Sequence, residues 1–218
     1  MSVLADQQAG AAAPGSVLDL VPVVPVVVVD DVAAAVPLAR ALAAGGVPVV
    51  ELTLRTPAAL DAIRAIATEV PEVVIGAGTV TTPGQADAAL AAGARFLVSP
   101  GATAGLLAHL AALAVPCLPG TATVSEVLAA REAGFTEVKH FPAEASGGTA
   151  YLKAVGSVLP DVRFCPTGGI VASTAGEYLA LPHVACVGGS WLTPKDAVAA
   201  ADWARITALA AATVALRP

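Results

Sequence analysis

Charge is scarce in this chain of 218 residues: charged side chains make up 13% and aromatic ones 4%. Lys and Arg total 11 against 17 acidic residues, a formal net charge of -6, and the basic residues never cluster. That excludes the broad basic field by which a protein holds nucleic acid or an anionic membrane surface, so neither is expected as a partner. An anionic ligand would need a local trap. The three cysteines, Cys117, Cys165 and Cys186, lie in apolar runs without a CxxC pair or a closely spaced histidine. Buried free thiols are therefore expected, not a zinc site or a disulfide framework, and the expectation is no metal and no other cofactor. The opening stretch MSVLADQQAGAAAPGS lacks a basic leader region, and Asp6 falls where an apolar leader core would begin, which makes a cytoplasmic location the expectation. The apolar stretch from Val17 to Leu38 is broken by Asp19, Pro22, Pro25, Asp30, Asp31 and Pro37. A membrane helix would hardly tolerate those residues, so the stretch reads as strand, turn and helix.

What is present is hydrophobicity, at 56% of residues, the composition of strands buried on both faces. Short β-branched runs alternate with Ala/Leu-rich helical segments: Pro22–Val29, Val47–Thr53, Glu72–Ile75, Arg95–Ser99, Val115–Leu118, Thr136–His140, Val162–Cys165 and Val184–Val187. Their starts recur about every 20 to 26 residues, the spacing of βαβ units. Thr56-Pro57, Thr82-Pro83 and Thr193-Pro194 read as helix starts, Thr123 with Glu126 as a capping box, and Gly45-Gly46, Gly93 and Gly134 as helix ends. The fold class expected is α/β, a parallel (β/α)₈ TIM barrel forming one domain over residues 18–218. Residues 1–17 are expected to form an N-terminal extension or a cap on the barrel bottom. A six- or seven-stranded doubly wound sheet is the alternative.

Active sites of such barrels lie at the C-terminal strand ends. Of three lysines, Lys153 and Lys195 fall in helical segments and are expected to be solvated, whereas Lys139 lies inside the sixth strand. Alternation aims it with Phe141. Desolvation favours a neutral amine, and a neutral amine attacks carbonyls; the bland alternative is a lysine paired with a structural carboxylate. The second strand puts Glu51 and Thr53 on one face and Arg55 in the following loop. Glu51 suits a general acid and base for imine chemistry, or a plain ion pair with Lys139 or Arg55. Arg55 beside the loops Gly76 to Thr79 and Ser99 to Gly101 suits a carboxylate clamp. The glycine pairs Gly168-Gly169 and Gly188-Gly189 stand where barrels bind phosphate, or are tight turns only.

The motifs VELTLRT, GAGTV, KHFPAE, RFCPTGGI and GGSWL, in this order, closely resemble the bacterial 2-keto-3-deoxy-6-phosphogluconate (KDPG) and 4-hydroxy-2-oxoglutarate (KHG) aldolase family over about residues 20 to 215. The resemblance implies a metal-free class I aldolase, a carbon-carbon lyase of the Entner-Doudoroff pathway. Such an enzyme cleaves a keto-acid phosphate to pyruvate and glyceraldehyde 3-phosphate through a lysine Schiff base, as a homotrimer. By motif, Lys139 resembles the Schiff-base lysine and Glu51 the acid/base. Arg55 and Thr79 resemble the substrate carboxylate clamp, Pro100 and Phe141 pocket walls, and Gly168, Gly169, Gly189 and Ser190 the phosphate site. His140 departs from the pattern, standing where an aromatic residue is usual, and alternation sends it away from Lys139. A 2-keto-3-deoxy-6-phosphogalactonate aldolase, and a non-covalent phosphate-binding barrel isomerase or decarboxylase, remain open as rival readings.

Overall fold

The computed structural model describes residues 16–216. Its elements follow in the order β1 (Val23–Val27), α1 (Ala35–Ala44), β2 (Val49–Thr53), α2 (Ala59–Glu69), β3 (Val74–Gly78), α3 (Pro83–Ala91), β4 (Leu97–Val98), α4 (Ala104–Ala111), β5 (Cys117–Leu118) and β6 (Gly120–Thr121). They continue with α5 (Val124–Glu132), β7 (Glu137–His140), α6 (Gly148–Val158), β8 (Arg163–Pro166), α7 (Ala175–Leu179), β9 (Val187–Gly189), α8 (Lys195–Ala199) and α9 (Trp203–Val214). Every strand pairing is parallel, in a six-stranded sheet of order β5-β4-β3-β2-β1-β9 and a three-stranded sheet of order β6-β7-β8. Two parallel bridges, Phe164 to Val184 and Thr167 to Gly188, link the second sheet to the β9 edge of the first. This is a curled parallel α/β fold with helices on the outside.

The strands β1 and β2 are buried along their whole length, as β-branched runs covered on both faces must be. The core is built of small aliphatic residues, with Phe96, Phe164 and Tyr178 its largest members. Cys117, Cys165 and Cys186 are buried and free, and burial pushes the Cys117 thiol up to about 11. No helix among the described residues is long and apolar enough to cross a membrane.

Several boundaries differ from the pattern-based expectation, each for a local reason. The fifth strand expected over Val115–Leu118 starts only at Cys117 and resumes beyond its expected end as Gly120–Thr121, interrupted by Pro119, which has no N–H to donate to a ladder. The Pro119 carbonyl still accepts from the Lys139 N–H at 3.0 Å, and the Gly120 N–H donates to Ser99 Oγ at 3.1 Å. The third strand starts later than Glu72 and runs through its glycines to Gly78. Glycine is a poor strand former by propensity, but here the space a side chain would fill is taken by the Phe96 ring at Gly76 and by Glu51 at Gly78. The strand expected over Val184–Val187 is found as β9, Val187–Gly189, and Val184 makes only an isolated bridge.

Helix signals divide the same way. Thr82 accepts from the Gln85 N–H ahead of Pro83, and Thr123 with Glu126 forms the full capping box. Gly46, Gly93 and Gly134 take the left-handed conformation that ends a helix. Thr56, however, donates to the Val29 carbonyl at 2.5 Å, and α2 begins at Ala59 without a side-chain cap. Nor does Thr193 cap α8, whose N-cap is Pro194.

The expectation for residues 1–17 falls outside the described residues except for Ser16 and Val17. Ser16 caps a single 3-10 turn, Val17–Asp19, in which Val17 and Leu18 are buried. Its hydroxyl donates to both Glu137 oxygens, at 2.8 and 2.9 Å. Arg163 bridges Glu137, at 2.7 Å, and Asp19. The turn is thereby tied to the N-terminal ends of β7 and β8, opposite the end where the polar strand-end residues gather.

Candidate active site

Strand β2 pairs with β1 and β3, placing Glu51 opposite Val26 on one side and Gly76 on the other. Its inward face carries Glu51, 2% exposed. The carboxylate lies across Gly78, where a Cβ would collide with Oε1, so the bare backbone of GAGTV gives the acid its space. Thr53 is turned the same way, and its hydroxyl donates to the Val27 carbonyl at 2.9 Å.

Lys139 comes in from β7, paired with Gly120 and Cys165. It is 5% exposed, and Nζ donates to Glu51 Oε1 at 3.0 Å. The Phe141 ring centroid is 5.5 Å from the same nitrogen, a cation–π distance. A buried ion pair of this kind gains little net stability, yet removing one partner typically costs about 3–5 kcal/mol because a charge is left alone. The pair thus reads as poised chemistry more readily than as a staple.

Around these two groups is a cavity of about 390 Å³ that also contains Arg55, Thr79, Phe141, Thr167, Gly168, Gly169, Gly188, Ser190 and Lys195. Arg55 is exposed and makes no ion pair among the described residues. Thr79 holds φ 61°, a left-handed backbone that threonine adopts at a cost. That strain sits at a turn on the cavity wall.

Separated from β2 by β1 and β9, the loop after β8 turns through Gly168 at φ 103° and Gly169 at φ 82°. It runs beside the loop after β7: the Ala143 N–H donates to Thr167 O at 2.8 Å and the Glu144 N–H to Gly168 O at 3.1 Å. Glu144 lies over Gly169, where a Cβ would come within 2.6 Å of its Cγ. The Tyr178 hydroxyl donates to Glu144 Oε1 at 2.6 Å. Burial, and then the Glu144 carboxylate, hold that phenol protonated well above its usual range. Tyr178, itself 1% exposed, therefore anchors both loops from beneath.

Of the ten residues matched to site roles by motif, eight line the cavity: Lys139, Glu51, Arg55, Thr79, Phe141, Gly168, Gly169 and Ser190. Pro100 and Gly189 do not. Pro100 presses its backbone on Gly120, next to Lys139 on the neighbouring strand, and Gly189 is covered by the Trp191 ring while Gly188 faces in. Thr167 was passed over between Pro166 and the glycines; its side chain fills the space above Gly188. Lys195 is exposed as expected, but on the cavity wall, and only the course of the chain after Ser190 brings it there.

His140 points to the other side of β7. It is 0% exposed, stacks on Tyr151 with ring centroids 5.0 Å apart, and has Nδ1 3.2 Å from the Thr121 carbonyl. Burial pulls its pKa down, against the lifting effect of that carbonyl. Among the described residues no group of three or more His, Cys, Asp or Glu is gathered as metal ligands would be.

The chain is similar to the 2-dehydro-3-deoxy-phosphogluconate aldolase of Pseudoalteromonas atlantica, 56% identical over 194 residues covering 89% of this chain and 90% of that protein. A crystal structure of KDPG aldolase from Legionella pneumophila, with pyruvate captured at low pH as a covalent carbinolamine intermediate, superposes with a TM-score of 0.89 at 48% identity, covering 90% of this chain and 96% of that one. The Zymomonas mobilis 2-keto-3-deoxy-6-phosphogluconate aldolase with 3-phosphoglycerate gives 0.88 at 48% identity, over 92% of this chain and 94% of the other. The family model described as KDPG and KHG aldolase matches residues 15–209, and with that span and those identities this chain belongs to the KDPG and KHG aldolase family.

Proposed function

We propose that this protein is a class I aldolase that cleaves 2-keto-3-deoxy-6-phosphogluconate to pyruvate and glyceraldehyde 3-phosphate, and 4-hydroxy-2-oxoglutarate to pyruvate and glyoxylate. The observation that carries the reading is the pairing of Lys139 Nζ with Glu51 Oε1 at 3.0 Å, both nearly dry, in a cavity whose wall also carries Arg55 and the loop of Gly168 and Gly169.

In this reading the Lys139 amine, its proton passed to Glu51, bonds C2 of the keto acid, and Glu51 returns that proton to the carbinolamine hydroxyl, which leaves as water to give a protonated imine. Glu51 takes the proton of the C4 hydroxyl as the C3–C4 bond breaks. The bonding pair is held as the enamine, the aldehyde departs, a proton returns to C3, and water releases pyruvate and the free amine. The carbinolamine captured in the Legionella relative supports this sequence of bonds. Arg55 and Thr79 hold the substrate carboxylate, Phe141 walls the reacting carbons, and Gly168, Gly169 and Ser190 receive the phosphate.

The two sheets are read as one closed (β/α)₈ barrel, a single domain over residues 18–218. The bridges from β8 to β9 and the single residue between β5 and β6 support this closure. The family resemblance further supports a cytoplasmic homotrimer.

Borohydride reduction in the presence of pyruvate, followed by mass spectrometry of the peptides, tests the covalent step. A reduced pyruvyl adduct on Lys139 is expected in the native protein and none in Lys139→Met. An unlabelled native protein would remove the Schiff base and the function built on it.

A further inference from the structure

Resting on the aldolase reading above, we infer that Lys195 is the cation that selects the phosphorylated substrate, positioning its terminal phosphate against the glycine loop. The cavity holds three cationic side chains, Arg55, Lys139 and Lys195. Lys139 is engaged by Glu51, and Arg55 leaves β2 beside Thr79, at the end assigned to the carboxylate. The end containing Gly168, Gly169 and Ser190 would otherwise meet a dianion with backbone dipoles and neutral hydroxyls alone. Lys195 supplies a full positive charge there.

The charges around Lys195 leave it available. Its neighbour Asp196 is paired with Arg205 at 2.6 Å, and Asp202 accepts from the Arg205 N–H. Lys195 itself makes no ion pair among the described residues. It also stands on the wall of a second cavity, of about 580 Å³, which contains Asp30 and Asp31. Two carboxylates make that space hostile to an anion, so a phosphate drawn by Lys195 belongs on the glycine side. An exposed lysine on a flexible stem is a specificity device of low structural importance, since losing it leaves no buried charge behind.

The test compares kcat/KM for the phosphorylated six-carbon keto acid with that for 4-hydroxy-2-oxoglutarate, which has no phosphate. In Lys195→Met this ratio is expected to fall about ten- to a hundredfold, through KM for the phosphorylated acid with kcat little altered. Lys195→Arg should restore most of the ratio, and unchanged melting temperatures for both variants mark the effect as local. A ratio in Lys195→Met within about twofold of native, in a native enzyme that does prefer the phosphorylated acid, overturns the role of Lys195 and leaves the aldolase standing. If the native enzyme shows no such preference while pyruvate still labels Lys139, Lys195 and the phosphate end fall together; no labelling at all removes the whole reading.

Discussion

The two ends of the cavity are made in opposite ways. The Lys139–Glu51 end is dry and built on paired strands, with β7 and β2 holding the two side chains in registers shared with their neighbours. The end with Gly169, Ser190 and Lys195 is exposed and built on the turns after β8 and β9. A reacting pair must be held to a fraction of an ångström in low dielectric, which rigid strands provide. A phosphate arriving from water needs only several donors and a charge, which loops provide at less structural cost. On the function proposed here, the two ends divide the chemical step from substrate choice.

Substitutions that strike one end only would break that division or sharpen it. The largest effect is expected from Glu51→Gln, which keeps an oxygen for Lys139 but cannot carry the proton: turnover should fall about 10²–10⁴-fold on phosphorylated and unphosphorylated substrates alike. Borohydride trapping should still label Lys139. Steady-state rates on both substrates check this, and a loss confined to the phosphorylated acid would merge the two ends.

A smaller, one-sided effect is expected at Gly169. Alanine there meets a φ of 82° and the Glu144 side chain together, so the loop must shift. Gly169→Ala should raise KM for the phosphorylated acid about tenfold, equivalent to about 1.4 kcal/mol, and disturb cleavage of 4-hydroxy-2-oxoglutarate far less.

The smallest effect concerns the outer side of β7. His140 has its pKa lowered by burial in the folded state, so protonation favours the unfolded chain. Its contribution to stability is complete above about pH 6.5, the ordinary histidine value, and is lost as pH falls from there towards the lower folded value. His140→Phe, which can still stack on Tyr151, should flatten the decline in melting temperature between pH 7 and 5. An equally steep decline in the variant would assign the acid sensitivity to a group other than His140.

Much of the dry end was legible in the chain. Period-two alternation alone puts Lys139 with Phe141, Glu51 with Thr53, and His140 on the far side. Those are the placements found, because a strand buried on both faces leaves the side-chain direction no other freedom. The open end was less legible. Gly189 stood out for its place in a glycine pair, yet the Trp191 ring covers it and Gly188 faces the cavity. Lys195 reads as an ordinary surface lysine on a short helix. The third strand was misplaced because its glycines look like a turn until Phe96 and Glu51 are seen to need their space.

By itself the amino-acid sequence determined the βαβ alternation, the capped helices at Thr82 and Thr123, and which strand faces carry the amine and the carboxylate. Those features depend on neighbours within a few residues, where backbone periodicity and local hydrogen bonds rule. Only the tertiary structure decided that Glu51, 88 residues before Lys139, meets it at hydrogen-bond distance, and that Lys195 curves back to the rim of the same cavity. Contacts between distant segments follow from how the strands curl and pack around one core, and no short window of residues contains that information.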